Sequence, residues 1–320
     1  MRATSTFALL AQALAVQSVR IIQSNDDGWA EQYTRSANAA LKAAGHDVLL
    51  SAPAENKSGS GTFPTSTYSI LKLLANTAPG SRDEEPKPRE TACQYDSCPA
   101  GSGPVGLNET DTTLRWVNSY PVTSMRYGIT QFGPEIWDGQ GPELAVSGPN
   151  VGSNLWLSVL WSGTVGAAVY ASKEKKVPAI AFSCASSGVL PWNTEPVPTR
   201  SSVYGELAAR FVDKIVSGGA PYLPEDVFLN VNFPQVTDTE CNDPEEFKWV
   251  LSRINPGIFS GPDVGTCGSK DRLPEENKVV GTRGCYISIS VGDARDKTTA
   301  PLEKQQPVLD RLGDFLSCLP

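Results

Sequence analysis

The chain has 320 residues, of which 40% are hydrophobic and 19% charged. This balance is typical of a globular protein and excludes a disordered or fibrous one. A formal net charge of -8 argues against a nucleic-acid polymer as the main partner, because an acidic surface repels a phosphate backbone. Small phosphoesters and free nucleotides stay compatible with this charge, since one bound cation offsets the local repulsion.

The first 17 residues predict a cleaved export signal. Arg2 precedes a short apolar run at 7–16, and Ala13-Leu14-Ala15 has the small-x-small pattern of a cleavage site. The run is shorter than the about 20 apolar residues that span a bilayer, so no membrane span is expected. We therefore predict a secreted protein whose fold begins at about residue 18; a first core helix is the alternative interpretation.

An alternation of apolar runs and amphipathic stretches follows. It predicts an α/β fold with a Rossmann-like, doubly wound and mostly parallel sheet. The first unit is a strand at 19–22, a helix at 31–44 and a strand at 47–51. A strand, helix and strand at this spacing imply a parallel pair with a right-handed crossover. The later predicted elements are strands at 143–146, 177–182 and 227–233, and helices at 157–172 and 202–216.

Residues 76–112 interrupt this alternation, and we interpret them as a surface insertion because Pro, Gly, Ser, Glu and Asp dominate. The insertion carries a glycosylation sequon at Asn108, and Asn56 begins a second one. We predict that residues 18–236 form the catalytic domain. Residues 237–320 are predicted to be a C-terminal extension of short strands or hairpins packed on the same domain.

The seven cysteines agree with export. Cys93 and Cys98 flank a polar loop and predict a local disulfide. Four more lie in the C-terminal third and predict two further disulfides, whose pairing stays open: Cys241, Cys267, Cys285 and Cys318. Cys184 lies on an apolar run, so we predict a buried and inert thiol there.

Three polar segments follow predicted strands, at 24–28, 55–61 and 147–154. Ligands of an open parallel sheet bind beyond the carboxyl ends of its strands, so all three segments are expected to face one crevice. Asp26 and Asp27 in the first segment repel each other unless a cation joins them. A hard divalent ion prefers oxygen ligands, and the Ser58 hydroxyl and the Asn150 amide oxygen complete such a set. The ion predicted is Mg²⁺, Mn²⁺ or Ca²⁺.

These segments also carry a resemblance. The strand followed by Ser-Asn-Asp-Asp-Gly at 24–28 resembles the start of the SurE (survival protein E) family of metal-dependent 5'/3'-nucleotidases and acid phosphatases. The other motifs similar to this family lie, in order, at 52–59, 147–154, 161–168, 178–183 and 230–234. Residues 237–320 match weakly. The signal segment, the insertion and the cysteines resemble the secreted fungal-type members.

The resemblance implies a Rossmann-like fold and a C-terminal part that often forms homo-oligomers. It implies metal ligation by Asp26, Asp27, Ser58 and Asn150. The residues expected to bind the phosphate or the rest of the substrate are Asn25, Lys57, Gly59, Asn154, Ser162, Gly163 and Thr164. One departure is Thr123, which occupies the position of an acidic residue of the family.

We therefore predict a phosphomonoesterase that hydrolyses nucleoside monophosphates or general phosphoesters through a metal-activated water. Asp26 and Asp27 are the candidate catalytic residues, with Asp26 orienting the water. His46 is the single histidine and lies at a predicted helix end, which argues against histidine-based phosphatases and Ser-His-Asp hydrolases. The alternative is a secreted module that binds a metal and a nucleotide without turnover.

Overall fold

The computed structural model of the chain describes residues 18–58, 82–186, 188–257, 260–269 and 272–320. The predicted signal segment, Gly59 and the start of the insertion lie outside these ranges. In the described ranges no helix is long and apolar enough to cross a membrane.

The described residues form a nine-stranded sheet flanked by helices on both faces, which confirms the predicted fold class. The strands are β1 (Arg20–Ser24), β2 (Asp47–Pro53), β3 (Val105–Leu107), β4 (Leu114–Val117), β5 (Leu144–Val151), β6 (Ala179–Cys184), β7 (Val227–Phe233), β8 (Lys248–Ser252) and β9 (Tyr286–Asp293). The helices are α1 (Gln32–Ala43), α2 (Pro121–Tyr127), α3 (Gly133–Ile136), α4 (Leu157–Trp161), α5 (Gly163–Lys175), α6 (Thr199–Val216), α7 (Glu276–Gly281) and α8 (Leu302–Leu312). A π-helical turn, Gly128–Phe132, joins α2 to α3.

The strand order is β3-β4-β2-β1-β5-β6-β7-β9-β8. From β4 to β7 in this order, each strand is parallel to its neighbour. Strand β3 runs antiparallel to β4, and β9 runs antiparallel to β7. Because successive side chains of a strand point to opposite faces, Ile21 packs with the core under α1 and α6, and Ile22 packs with the core under α2 and α5. Both faces of the central strands are therefore buried, as in other parallel sheets.

Two elements differ from the sequence-based expectation near the third polar segment. Strand β5 does not end at Ser147 but continues to Val151, with a shift of register between Ser147 and Asn150. The predicted helix at 157–172 is two helices, because Ser162 between them has extended backbone angles. The Ser162 hydroxyl oxygen accepts a hydrogen bond from the Val165 N–H at 3.1 Å, so a new helix starts there.

The C-terminal residues continue the main sheet. Strand β8 runs parallel to β9, so they do not form the expected hairpin. A crossover that contains α7 joins them instead. The aromatic rings of Phe233 on β7 and Trp249 on β8 meet edge to face across the same core. These strands therefore extend the core that the first 236 residues begin.

All three predicted disulfides form, and the structure resolves their pairing. Cys93 pairs with Cys98, Cys241 with Cys285, and Cys267 with Cys318. Cys184 is a buried free thiol, as predicted.

The described part of the insertion is tied to the strands beside the predicted crevice. The buried Arg89 guanidinium donates to Glu55 Oε1 at 2.6 Å and to Asn118 Oδ1 at 2.8 Å. Thr123, the position that departs from the family pattern, accepts a hydrogen bond from the Glu84 N–H at 3.0 Å. In this chain residue 123 therefore holds the insertion against α2.

Candidate active site

Asp26 lies in the turn after β1 and faces the N-terminus of α5. Its Oδ1 accepts the Thr164 hydroxyl at 2.5 Å, and the backbone N–H groups of Gly163 and Thr164 also bind the carboxylate. A Cβ at residue 163 would lie 2.9 Å from Asp26 Cβ, so glycine is what allows this close approach. The partial positive charge of a helix N-terminus stabilises a carboxylate placed in this way.

Asp27 draws together the other two polar segments. Its Oδ1 accepts the Ser58 hydroxyl at 2.8 Å, and the Asn56 amide nitrogen lies 3.4 Å from the same oxygen. Its Oδ2 accepts the N–H of Val151 at 2.7 Å. The carboxyl ends of β1, β2 and β5 therefore meet at one carboxylate, as the strand order predicts.

The electrostatics of this crevice favour a cation. Burial raises the pKa of Asp26. Burial raises the pKa of Asp27 to about 7, and the negative charge of Asp26 adds to this shift. Burial raises the pKa of Glu31 to about 8, and the negative charge of Asp27 adds to this shift. Three neighbouring carboxyl groups thus resist ionisation together, and a nearby positive charge would relieve this cost.

The side chain of Asn150 has a buried oxygen that could ligate a cation. Its side-chain oxygen Oδ1 is buried and has no hydrogen-bond partner, whereas its Nδ2 donates to the Gly152 carbonyl at 2.5 Å. Buried polar atoms are nearly always paired, so an orphaned oxygen on the residue before Val151, whose N–H binds Asp27, is suited to a ligand. Across the described ranges no group of three or more His, Cys, Asp or Glu residues is arranged for a metal. The set here has two carboxylates and two neutral oxygens, a chemistry that suits Mg²⁺ or Mn²⁺.

The residues predicted to bind phosphate or substrate fall into two groups. Lys57 stays near the crevice, because its N–H donates to the Asp26 carbonyl at 2.6 Å and its Nζ lies 5.7 Å from the ring centroid of Tyr120. Ser162, Gly163 and Thr164 start α5 beside Asp26.

Asn25 and Asn154 are engaged elsewhere. The Asn25 amide bonds the Gly28 carbonyl at 3.1 Å and the Thr34 hydroxyl, so it shapes the turn. Asn154 donates to the Ser183 hydroxyl at 2.8 Å and anchors the loop after β5. Gly59 lies outside the described residues. His46 contacts Asp213 on α6 at 3.1 Å and takes no part in this crevice.

Sequence reasoning did not identify Glu31 as part of the crevice. Its Oε2 accepts the N–H groups of Tyr33 at 2.6 Å and Thr34 at 3.2 Å, so it caps α1, while its buried Oε1 has no partner. An N-terminal glutamate is an ordinary helix feature, and only the fold shows that it lies near Asp27.

Comparison with known proteins places the chain among enzymes that cleave phosphate monoesters. The family model described as survival protein SurE matches residues 21–261. An acid phosphatase of Yarrowia lipolytica is 30% identical over 299 residues, which are 85% of this chain and 78% of that protein. The 5'-nucleotidase SurE of Gloeobacter violaceus is 30% identical over 222 residues, which are 69% of this chain and 66% of that protein.

A solved structure, the SurE protein from Aquifex aeolicus, has the same fold. It superposes with a TM-score of 0.54 at 20% identity and covers 86% of this chain and 93% of that one. With the relatives above, this α/β fold defines a phosphoric monoester hydrolase. The chain belongs to the survival protein SurE family, and the resemblance carried by its six motifs is confirmed.

Proposed function

We propose that this protein is a metal-dependent phosphomonoesterase that hydrolyses nucleoside monophosphates or related phosphoesters by attack of a metal-activated water. The observation that carries the proposal is the buried, unpartnered Oδ1 of Asn150, the residue directly before Val151, whose N–H binds Asp27. The names of the acid phosphatase and the 5'-nucleotidase relatives support the reaction class.

Asp26, Asp27, Ser58 and Asn150 would hold the divalent cation. Such a cation supplies a water of lowered pKa and polarises a phosphate oxygen. The Thr164 hydroxyl and the N-terminus of α5 hold Asp26 in one orientation, so this carboxylate can orient the attacking water or accept its proton. Phosphoryl transfer depends mainly on such positioning and on charge stabilisation.

The negative charge that develops on the phosphate oxygens needs donors from the chain. Lys57 is a cation at the crevice, with its Nζ 3.7 Å from Glu55 and facing the Tyr120 ring. We assign Lys57 to a phosphate oxygen, because its flexible stem allows the ammonium to move from Glu55 to a stronger anion.

We also propose that the protein is exported, that residues 18–236 carry the catalytic machinery and that residues 237–320 complete the sheet and form any homo-oligomer contact. Three disulfides support export, because such bonds persist in oxidising compartments. Terminal sequencing of the secreted protein is expected to start near residue 18, and retention of residues 1–17 in the secreted form would contradict the export proposal.

The activity is tested with chelated protein supplied in turn with Mg²⁺, Mn²⁺ or Ca²⁺. The substrates are adenosine 5'-monophosphate, adenosine 3'-monophosphate, p-nitrophenyl phosphate and glycerol 2-phosphate. Metal-dependent release of inorganic phosphate from at least one of them is the expected result. Metal binding without any phosphate release would favour the non-catalytic binding module instead.

A further inference from the structure

The loop from Gly152 to Ser162 spans the candidate active site from one carboxylate to the other. It starts directly after Val151, whose N–H binds Asp27, and it ends directly before Gly163, which faces Asp26. Both ends of this loop therefore lie beside the two carboxylates. Two of its side chains are large, apolar and exposed: Trp156 at 45% and Leu157 at 43%.

Trp156 has an unusual backbone. Its φ is 46° and its ψ is -110°, in the region that favours glycine and that a bulky residue rarely adopts. Strain of this kind persists only where the surroundings hold it, and it concentrates at functional positions. A loop that needed only to turn here would be served by glycine, yet the chain places a tryptophan at this position and leaves 45% of it exposed.

A buried carboxylate holds this backbone in place. Glu276 Oε1 accepts the Trp156 N–H at 2.7 Å, and its Oε2 accepts Asn230 Nδ2 at 2.9 Å and the Ser290 hydroxyl at 3.1 Å. Glu276 is fully buried. On the site side of Trp156, the Asn154 N–H donates to Asn232 Oδ1 at 2.9 Å. The backbone of the loop is therefore tied to β7 on both sides of residue 155.

We propose that Trp156 is a specificity-determining residue whose indole binds the planar aromatic leaving group of the substrate, a nucleobase or an aryl ring. This inference rests on the proposed function, because it places the phosphate at the Asp26–Asp27 pair. Helix α4 separates Trp156 from Ser162 and is about 7.5 Å long, which matches the scale of a nucleoside. Stacking on an aromatic side chain suits any base, because every base has a π-face.

The test compares Trp156→Gly with Trp156→Phe. Glycine relieves the backbone strain, so this variant is expected to fold, and phenylalanine keeps a ring. The measured quantity is the kcat/KM for adenosine 5'-monophosphate, or for p-nitrophenyl phosphate, divided by that for glycerol 2-phosphate. We expect this selectivity to fall about tenfold in Trp156→Gly, the scale of one lost stacking contact, and to be largely kept in Trp156→Phe.

Leu157→Ala is the matched control, because Leu157 is the neighbouring exposed apolar side chain of the same loop. Its selectivity should equal that of the wild type. A loss with adenosine 5'-monophosphate alone identifies the nucleobase as the ligand, and a loss with both aromatic substrates identifies any aryl ring. No change in selectivity for Trp156→Gly, or an equal loss with glycerol 2-phosphate, would overturn the proposal.

Calorimetric titration with adenosine separates this proposal from the proposed function, since it requires no turnover. If the wild type releases no phosphate from any substrate, the proposed function fails. Weaker binding of adenosine by Trp156→Gly than by wild type and Trp156→Phe would still support the aromatic platform. Equal adenosine binding by all three proteins would refute it.

Discussion

The backbone N–H of Val151 donates to Oδ2 of Asp27 over 2.7 Å, so the strand that presents Asn150 also orients one of the two carboxylates. This contact depends on the extension of β5 past Ser147, because the register shift brings Asn150 and Val151 level with Ser183 and Cys184 on β6. The Asn150 side of the candidate metal site is therefore built into the central sheet, whereas Asp26, Asp27 and Ser58 lie in the segments that follow β1 and β2.

Asn150→Ala is expected to weaken Mn²⁺ binding at least about tenfold, since even groups one layer behind a metal ligand contribute about 10- to 100-fold to affinity. The reason is the loss of the buried, unpartnered Oδ1. Calorimetric titration of chelated protein with Mn²⁺ measures the change. Asn242→Ala, which alters an exposed asparagine, is the control and should bind as the wild type does. Equal affinities of the two variants would remove Asn150 from the ligand set.

Thr164→Val is expected to move the pH profile of Mn²⁺ binding, measured by calorimetric titration of chelated protein, to higher pH. The Thr164 hydroxyl lowers the pKa of Asp26 by bonding its carboxylate, so valine, which has the same shape, raises that pKa further and the carboxylate ionises later. A hydrogen bond of about 1 kcal/mol corresponds to a shift of roughly half to one pH unit. Thr164→Ser keeps the hydroxyl and should keep the wild-type profile. A shift to lower pH in Thr164→Val would be inconsistent with this account.

Glu276→Gln is expected to flatten the dependence of stability on pH. Burial raises the pKa of Glu276 from 4.5 to about 8. Between these values the folded protein binds more protons than the unfolded chain, so the free energy of unfolding is largest below pH 4.5 and declines as pH rises towards 8. Glutamine does not titrate and should remove a decline on the order of 4 kcal/mol.

Urea unfolding at pH 5 and pH 8 measures this effect in metal-free wild type and in the variant. The readout is the difference between the two pH values within each protein, because glutamine has one acceptor oxygen where Glu276 uses two, and this loss lowers the stability of Glu276→Gln at both pH values. If wild type and variant lost the same stability between pH 5 and pH 8, Glu276 would not carry the raised pKa.

Asn56 is expected to carry no glycan although it begins a sequon, whereas Asn108 is expected to be glycosylated. The Asn56 amide nitrogen, the atom to which a glycan would be attached, lies 3.4 Å from Asp27 Oδ1. Both asparagines accept an N–H two residues on through Oδ1, from Ser58 at 2.7 Å and from Thr110 at 2.9 Å, but only the Asn56 nitrogen faces a carboxylate of the site. An intact-glycopeptide map of the secreted protein checks both positions. Full occupancy at Asn56 would count heavily against this crevice as the active site.

The first strand, helix and strand could be predicted from sequence because their signals are local. Apolar runs, the amphipathic stretch and Gly45 predict β1, α1 and β2 to within a few residues. The placement of Asp26 and Asp27 at the carboxyl end of β1 follows from the same pattern. Ser58 follows β2 and Asn150 lies near the end of β5, and a parallel sheet brings these strand ends to the same edge as Asp26 and Asp27.

The remaining features depend on contacts between residues far apart in the chain. The register shift in β5 arises from its pairing with β6, and Glu31 and Glu276 carry no local signal of their raised pKa values. Asn25 and Asn154 lie in site motifs, but their amides bond a turn and a neighbouring strand, which only the packed structure shows. The break at Ser162 was missed because small residues on both sides favour one continuous helix.

Asp26 and Asp27 are proposed to hold a divalent cation that the hydrolysis requires. The most direct test is the rate of p-nitrophenyl phosphate hydrolysis by wild type and Asp26→Ala, each with Mn²⁺ and after treatment with a chelator. Full activity is expected only for wild type with Mn²⁺. The chelated protein should recover when the ion is restored, and Asp26→Ala should lose at least about 100-fold. Activity that survives both the chelator and Asp26→Ala would contradict this proposal.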